Sequence, residues 1–248
     1  MKEELITVEK ICLIAGKIML ISGAETHRVE DTMNRIARAY GITNPQSYAT
    51  PTGINFSIDL ATTTNFLRIT SRSTDLHKIA EVNHVSRQIV DGAISKQQAY
   101  YELQHIEKSK LTFSPTVQII AAMLVSGGFT MMFGGSWQDF IPALLAGGIG
   151  YAGMLAFEKL VEIRFLADFF GGFVIGVSSF LFLWIGLGET IDSVIIGAVM
   201  PLVPGLHITN AIRDLMAGHL VSGISKGIEA LLTSFAIGAG VAIMYAFF

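Results

Sequence analysis

The chain has 248 residues, of which 51% are hydrophobic and only 15% charged, and its formal net charge is −3. Soluble domains carry about a quarter charged residues, so the composition excludes an ordinary soluble globule and indicates a membrane protein. The near-neutral balance gives no argument for nucleic acid as a partner, and the single cysteine, Cys12, excludes an internal disulfide and a cysteine-based metal site.

The charge is unevenly spread. Residues 1–114 hold 13 of the 17 Lys and Arg and 12 of the 20 Asp and Glu, whereas 20 of the 25 glycines follow residue 114. This divides the chain into a soluble-looking domain, 1–114, and an integral membrane domain, 115–248.

Residues 5–21 place Leu5, Val8, Cys12, Ala15 and Met19 on one helical face and Glu9, Lys10 and Lys17 on another, an amphipathic helix too charged to span a bilayer well. Ser22 to Glu25 fits a capping box, Ser at the cap and Glu three later. A second helix over 25–40 follows, with Val29, Met33, Ile36 and Tyr40 apolar and Gly41 ending it. After Pro45 the period changes to two: Ile54, Phe56, Ile58 and Leu60 alternate with polar residues. Ala61-Thr62-Thr63 turns into a second strand over 64–71, and a shorter strand near 46–50 can pair with the first. A helix from Asp75 to Asp91 comes next, closed by Gly92. Ser95 to Gln98 forms another capping box, opening a last helix to Ser109. The result is a small α+β domain.

Its polar cluster is Glu25, Thr26, His27, Arg28, Glu30 and Asp31. A hydrolytic or metal site would use the histidine and carboxylates, but a helical metal pair needs i, i+3 or i+4 spacing. His27 and Asp31 meet it at i+4, but no second histidine in the cluster adds a further such pair. A solvated helix start, with acidic residues facing the helix dipole, is the simpler reading. No catalytic residue, cofactor or metal is expected.

Five spans follow, near 115–133, 139–157, 166–186, 190–206 and 228–247, each close to the roughly 20 residues that cross the hydrocarbon. The connections near 134–138 and 187–189 lack Lys and Arg, whereas Lys159, Arg164, Arg213 and Lys226 fall in the other two. By the positive-inside rule the N-terminal domain is cytoplasmic, the C-terminus is outside, and all 17 basic residues share one side. A second five-span unit of opposite orientation would complete an inverted pair of the kind many transporters use. No second copy occurs in this chain, so such a partner would be another polypeptide; whether the chain also forms an oligomer is left open.

The spans are dense in glycine, and Gly172 and Gly176 have the GxxxG spacing that lets helices approach closely. Ionisable residues avoid the midplane. Asp168 lies a turn into the third span, within i+4 of Arg164; Asp192 is at the outer end of the fourth, and Glu229 at the inner start of the fifth. Each is a candidate for carrying a coupling proton, and each also fits a plain interface charge.

The stretch Met200–Gly223, MPLVPGLHITNAIRDLMAGHLVSG, interrupts an apolar run with Pro201, Pro204 and Gly205 and then sets out Asn210, Arg213 and Asp214. Prolines open a helix, and opened backbone within a membrane persists only where protein or a water-filled cavity satisfies it. The stretch is therefore either a substrate path or a helix that ends at a Pro-Gly turn. By the charge count the break lies toward the cytoplasmic half of the fourth span, as an inner vestibule or gate would.

The run PLVPG…TNAIRDLMAGHLVSG resembles the signature of the threonine/serine exporter family, and SGAETHRVEDTMNRIARAYG, with PTGI at 51–54, resembles that family's cytoplasmic-domain motif. Full-length members fuse such a unit to a second, smaller membrane half, so this chain resembles the large subunit of a split, two-component exporter. Split members are associated with small carboxylates, succinate among them, and fused members with threonine and serine. The resemblance implies an inner-membrane, proton-driven exporter with a second small membrane subunit. Pro201, Pro204, Gly205, Asn210, Arg213 and Asp214 would form its path, and Gly23, Glu25, Thr26, Arg28 and Glu30 its cytoplasmic-domain motif. Arg213 could clamp a substrate carboxylate and Asn210 read an amine or hydroxyl; the competing reading pairs Arg213 with Asp214. The alternatives to a transporter are a membrane-anchored sensor or regulatory protein, or a hydrolytic one, using the N-terminal domain.

Overall fold

Thr7 opens the first helix, its side chain accepting the amide of Lys10 at 3.3 Å, and α1 runs from Val8 to Ile21. This computed structural model describes residues 6–109 and 112–247; Leu5, expected on the apolar face of α1, lies outside them. At the end of α1, Gly23 takes φ +85°, the amide of Ala24 reaches the Met19 carbonyl at 3.0 Å, and that of Gly23 reaches Leu20 at 3.2 Å. This is the glycine-terminated Schellman motif.

The capping box expected at Ser22–Glu25 does not form. Ser22 caps the end of α1, and Glu25 stands at the N-cap of α2 (Thr26–Ala39) without a side-chain cap bond. Ser-x-x-Glu is compatible with either arrangement; the left-handed backbone that Gly23 adopts without strain makes it a helix ending.

β1 (Gln46–Thr50), β2 (Gly53–Ser57) and β3 (Asn65–Arg68) form an antiparallel sheet in the order β1-β2-β3. Pro51 and Thr52 make the β1–β2 turn, with Thr50 opposite Gly53. β2 stops at Ser57, short of the expected Leu60, because the Ser57 hydroxyl bonds the Asp59 carbonyl and the Thr62 hydroxyl and pins a turn; Leu60 is exposed. α3 (Leu76–Val90) starts at Asp75, which accepts the amide of Lys78, and α4 (Lys96–Lys108) carries the expected Ser95–Gln98 capping box.

The chain divides into two compact units, Met1–Lys110 with His207–Gly227, and Leu111–Leu206 with Ile228–Phe248. The first has its own core. Ile11, Cys12, Ala15 and Met19 of α1 meet Val29, Met33 and Ile36 of α2, Ile54 and Phe56 of β2, Val82 of α3 and Leu103 of α4. Burying a side chain such as Phe56 or Ile54 contributes about 1.5–3 kcal/mol. α1 and α2 close together at Gly16, where an added Cβ would come within 2.4 Å of the Met33 sulfur.

The second unit is built from α5 (Pro115–Met132), α6 (Trp137–Val161), α7 (Arg164–Trp184), α8 (Ile191–Val199), the 3-10 turn Met200–Leu202 and most of α10 (Leu220–Phe247). Four of these helices, α5, α6, α7 and α10, are long and apolar enough to cross a membrane. A fifth span results if Ile191–Leu202 and α9 (Gly205–Met216), bent by 63° at Val203-Pro204, count as one. Helix α8 with its 3-10 turn stops at Leu202, and a separate helix, α9, begins at Gly205.

Glycine sets the packing of the second unit. An added Cβ at Gly172 would lie 2.5 Å from the Ile237 carbonyl oxygen, and one at Gly176 3.1 Å from Met244, so the GxxxG pair is where α7 meets α10. Asp139, fully buried in the first turn of α6, accepts the amides of Glu189 at 2.7 Å and Thr190 at 3.0 Å and ties the α7–α8 connection to α6.

Candidate functional site

Asn210, Arg213 and Asp214 are spaced i, i+3, i+4 along α9 and so share a face. Gly218, at φ +84°, ends that helix in a second Schellman turn, and α10 then brings Ser222 and Lys226 around. Gly223 permits the close return, since an added Cβ there would fall 2.9 Å from the Ala211 carbonyl oxygen and 2.5 Å from Leu215.

Within the first unit, these side chains interlock with the segment Gly23–Glu30. The Asn210 amide donates to the Gly23 carbonyl at 2.8 Å, and Arg213 donates to Glu25 at 2.6 Å. Asp214 is 0% exposed and accepts the Thr26 backbone amide at 2.8 Å, the Thr26 hydroxyl at 3.0 Å and the Lys226 ammonium at 2.7 Å. Lys226, itself buried, also donates to the Ala24 carbonyl at 3.1 Å and the Thr26 hydroxyl at 3.3 Å. The carboxylate thus sits at the positive end of α2, where the first amides of a helix lack intrahelical partners.

Around this pair lies a second layer. His27 Nδ1 is 3.6 Å from Asp214 and lacks a hydrogen-bond partner, and His219 Nδ1 is 3.6 Å from Glu30. Glu30 accepts the amide of Ala49 at 2.8 Å, tying α2 to β1. Burial pushes the Glu30 carboxyl up; the Ala49 amide and His219 oppose this without cancelling it. For Glu25, burial also raises, but its backbone hydrogen bond and the Arg213 and Arg28 guanidiniums together hold it below its ordinary value.

Two readings of the sequence change here. Arg213 pairs with Glu25, not with Asp214, because Asp214 is already occupied by Thr26 and Lys226. The Glu25–Asp31 cluster is not a solvated helix start: Glu25 is 5% and Thr26 0% exposed, both turned into the interlock. Asp31 is exposed and paired with Arg35 on the surface. Among the described residues no group of three or more His, Cys, Asp or Glu could hold a metal ion.

Beside the interlock is an open cavity of about 470 Å³, lined by Glu25, His27, Arg28, Arg213, Met216 and Ala217. Arg28 donates to the second Glu25 oxygen at 3.3 Å, so one carboxylate bridges two guanidiniums.

The remaining candidates belong to the second unit. Pro201 lies in the 3-10 turn, and Pro204 and Gly205 lie at the bend. Asp168 is 2% exposed; its Oδ2 has no hydrogen-bond partner, and the Arg164 guanidinium stands 4.0 Å away. Asp192, exposed, accepts the Tyr245 hydroxyl at 3.0 Å, and Glu229 is half-buried in α10. Sequence reasoning missed Lys226 and Asp139 as anchors. Ser136-x-x-Asp139 is a capping-box pattern that could have flagged Asp139; a lone lysine in an apolar helix start was the signal for Lys226.

A set of long apolar helices with a polar unit folded from both ends of the sequence defines a multi-pass membrane protein. The chain belongs to the threonine/serine exporter family: it matches the family described as "Putative threonine/serine exporter" over residues 10–248. It is 23% identical to a "Threonine/serine exporter" of Corynebacterium glutamicum, across 92% of this chain and 48% of that protein. It is 24% identical to a "Probable threonine/serine exporter" of Mycobacterium tuberculosis, across 92% of this chain and 44% of that one. The chain therefore spans about half the length of these two relatives. It is also 23% identical to a "Probable succinate transporter subunit YjjP" of Klebsiella aerogenes, across 97% of this chain and 93% of the relative. No solved structure matches the chain.

Proposed function

We propose that this chain is one subunit of a secondary transporter in the cell inner membrane that exports a small carboxylate or amino acid, with succinate, threonine and serine as the candidate cargoes. The observation that carries this is the pattern of coverage. The chain spans less than half of two threonine/serine exporters but nearly all of a relative named as a succinate transporter subunit. A second, small membrane subunit corresponding to the unmatched half would complete it. The lack of Lys and Arg in the connections near 134–138 and 187–189, against Lys159, Arg164, Arg213 and Lys226 in the other two, supports a cytoplasmic N-terminal unit and an external C-terminus.

The path is proposed to run by the Pro201, Pro204 and Gly205 break and the Asn210–Asp214 face. Of Asn210, Arg213 and Asp214, Asp214 is taken up by Thr26 and Lys226 and Asn210 gives its amide to Gly23; Arg213 gives one N–H to Glu25, and with five donors on a guanidinium it is the one best suited to meet cargo. Asp168, a buried acid with an unpartnered oxygen, is the strongest candidate for the coupling proton, ahead of Asp192 and Glu229.

The test is efflux of preloaded labelled succinate, threonine and serine from cells expressing this chain with the second subunit, with and without a protonophore. Faster efflux of at least one cargo, abolished by the protonophore, is expected. Efflux unchanged by expression would end the exporter reading, and efflux indifferent to the protonophore would end proton coupling.

A further inference from the structure

We propose that the cavity beside the interlock binds a small carboxylate anion, held by Arg28 and Arg213 at the place where the Glu25 carboxylate now bridges them. The geometry is that of a clamp closed on an internal occupant. Each oxygen of Glu25 takes one guanidinium N–H, from Arg213 at 2.6 Å and from Arg28 at 3.3 Å. A guanidinium has five N–H donors in a planar fork that matches a carboxylate. Both arginines are about half exposed, at 58% and 45% of their side chains, and both line the cavity.

Charge sets the ligand class. Two guanidiniums and one carboxylate line the cavity, and this surplus of positive charge favours a ligand of net negative charge over a zwitterion, which carries none. Size and lining set the rest. About 470 Å³ falls in the range of roughly 300–1,000 Å³ usual for small-molecule sites, and Met216 and Ala217 suit a short aliphatic body. A four-carbon dicarboxylate satisfies all of these, and threonine and serine satisfy them less well. The site rests on the exporter reading for its place in transport, while its chemistry stands on the cavity.

The experiment is calorimetric titration of the purified full-length chain in detergent with succinate, L-threonine and L-serine. Saturable succinate binding, tighter than that of either amino acid, is expected. Arg28→Gln, at a half-exposed position outside the core, should weaken it by about tenfold, the scale of one charge-assisted hydrogen bond. Glu25→Gln, which removes the internal competitor, should tighten it. A purely structural ion pair predicts neither change. Absence of saturable succinate binding in both the native chain and Glu25→Gln, unchanged affinity in Arg28→Gln, or tighter binding of threonine or serine would overturn the proposal. Succinate binding without efflux would count against the exporter reading alone, and efflux without binding against this site alone.

Discussion

Asp214 accepts both the backbone amide and the hydroxyl of Thr26, at 2.8 and 3.0 Å, so a residue 188 positions downstream supplies the cap that α2 lacks from its own N-terminus. The segments Gly23–Glu30 and Asn210–Asp214 are therefore halves of one polar assembly, and Lys226 closes it.

That assembly should behave as a unit on mutation. Loss of the Asp214 carboxylate leaves the Lys226 ammonium, 5% exposed, without its counter-charge. Breaking one side of a buried pair costs about 3–5 kcal/mol, whereas replacing both partners by apolar groups is often close to neutral. Asp214→Ala and Lys226→Met are each expected to destabilise by that order, and the double variant by less than their sum. Thermal unfolding in detergent checks this; additive losses would mean that the two residues act separately.

Glu25 and Glu30 should give opposite pH dependences. Glu25 titrates below its ordinary value, since its hydrogen bonds and the two guanidiniums outweigh burial. Its stabilisation is present above the unfolded value and is lost as pH falls through the folded one. Glu30 is raised by burial; on raising the pH the unfolded form ionises first, so the ionised group costs stability above the unfolded value. Glu25→Gln should therefore be less stable than the native chain near neutrality and approach it in acid. Glu30→Gln should gain on the native chain as pH rises from about 4 to 7. Unfolding midpoints across that range decide it, and differences from the native chain that do not vary with pH would contradict both assignments.

Glycine spacing in the second unit makes a sharp contrast. An added Cβ at Gly240 would lie 2.2 Å from the Phe169 carbonyl oxygen, whereas nothing lies within 4 Å of one at Gly238. Overpacking of this kind typically costs about 1–3 kcal/mol. Gly240→Ala should lower the unfolding temperature and Gly238→Ala should not; equal effects would show that α7 and α10 do not meet at this point.

Cys12 should be chemically silent. Its thiol is 0% exposed, and burial, with Glu9 adding to it, pushes it up to about 12. Thiolate is the reactive form, so maleimide labelling near neutral pH is expected to be negligible until the protein is denatured. Rapid labelling of the folded chain would place Cys12 outside the core.

Much of the first unit was legible because its signals are local. Gly41, Asp75 and the Ser95–Gln98 box mark helix ends through contacts within a few residues, and the two-residue period gave the strands. The Ser22–Glu25 pattern misled because the same letters serve a helix start or a helix end, and only the backbone at Gly23 tells them apart. The interlock could not be read at all. Glu25, Thr26 and Glu30 look like solvated first-turn residues until Arg213, Asp214 and His219 arrive from the far end of the chain. The stretch 207–227 likewise reads as a connection, yet it folds with the N-terminal residues as α9 and the start of α10.

The most direct test of the central claim is intracellular accumulation of succinate, threonine and serine in cells carrying this chain, the proposed second small subunit, or both. Accumulation of at least one of the three should fall only when both are present. Export by this chain alone, or unchanged accumulation with the pair, would contradict the account.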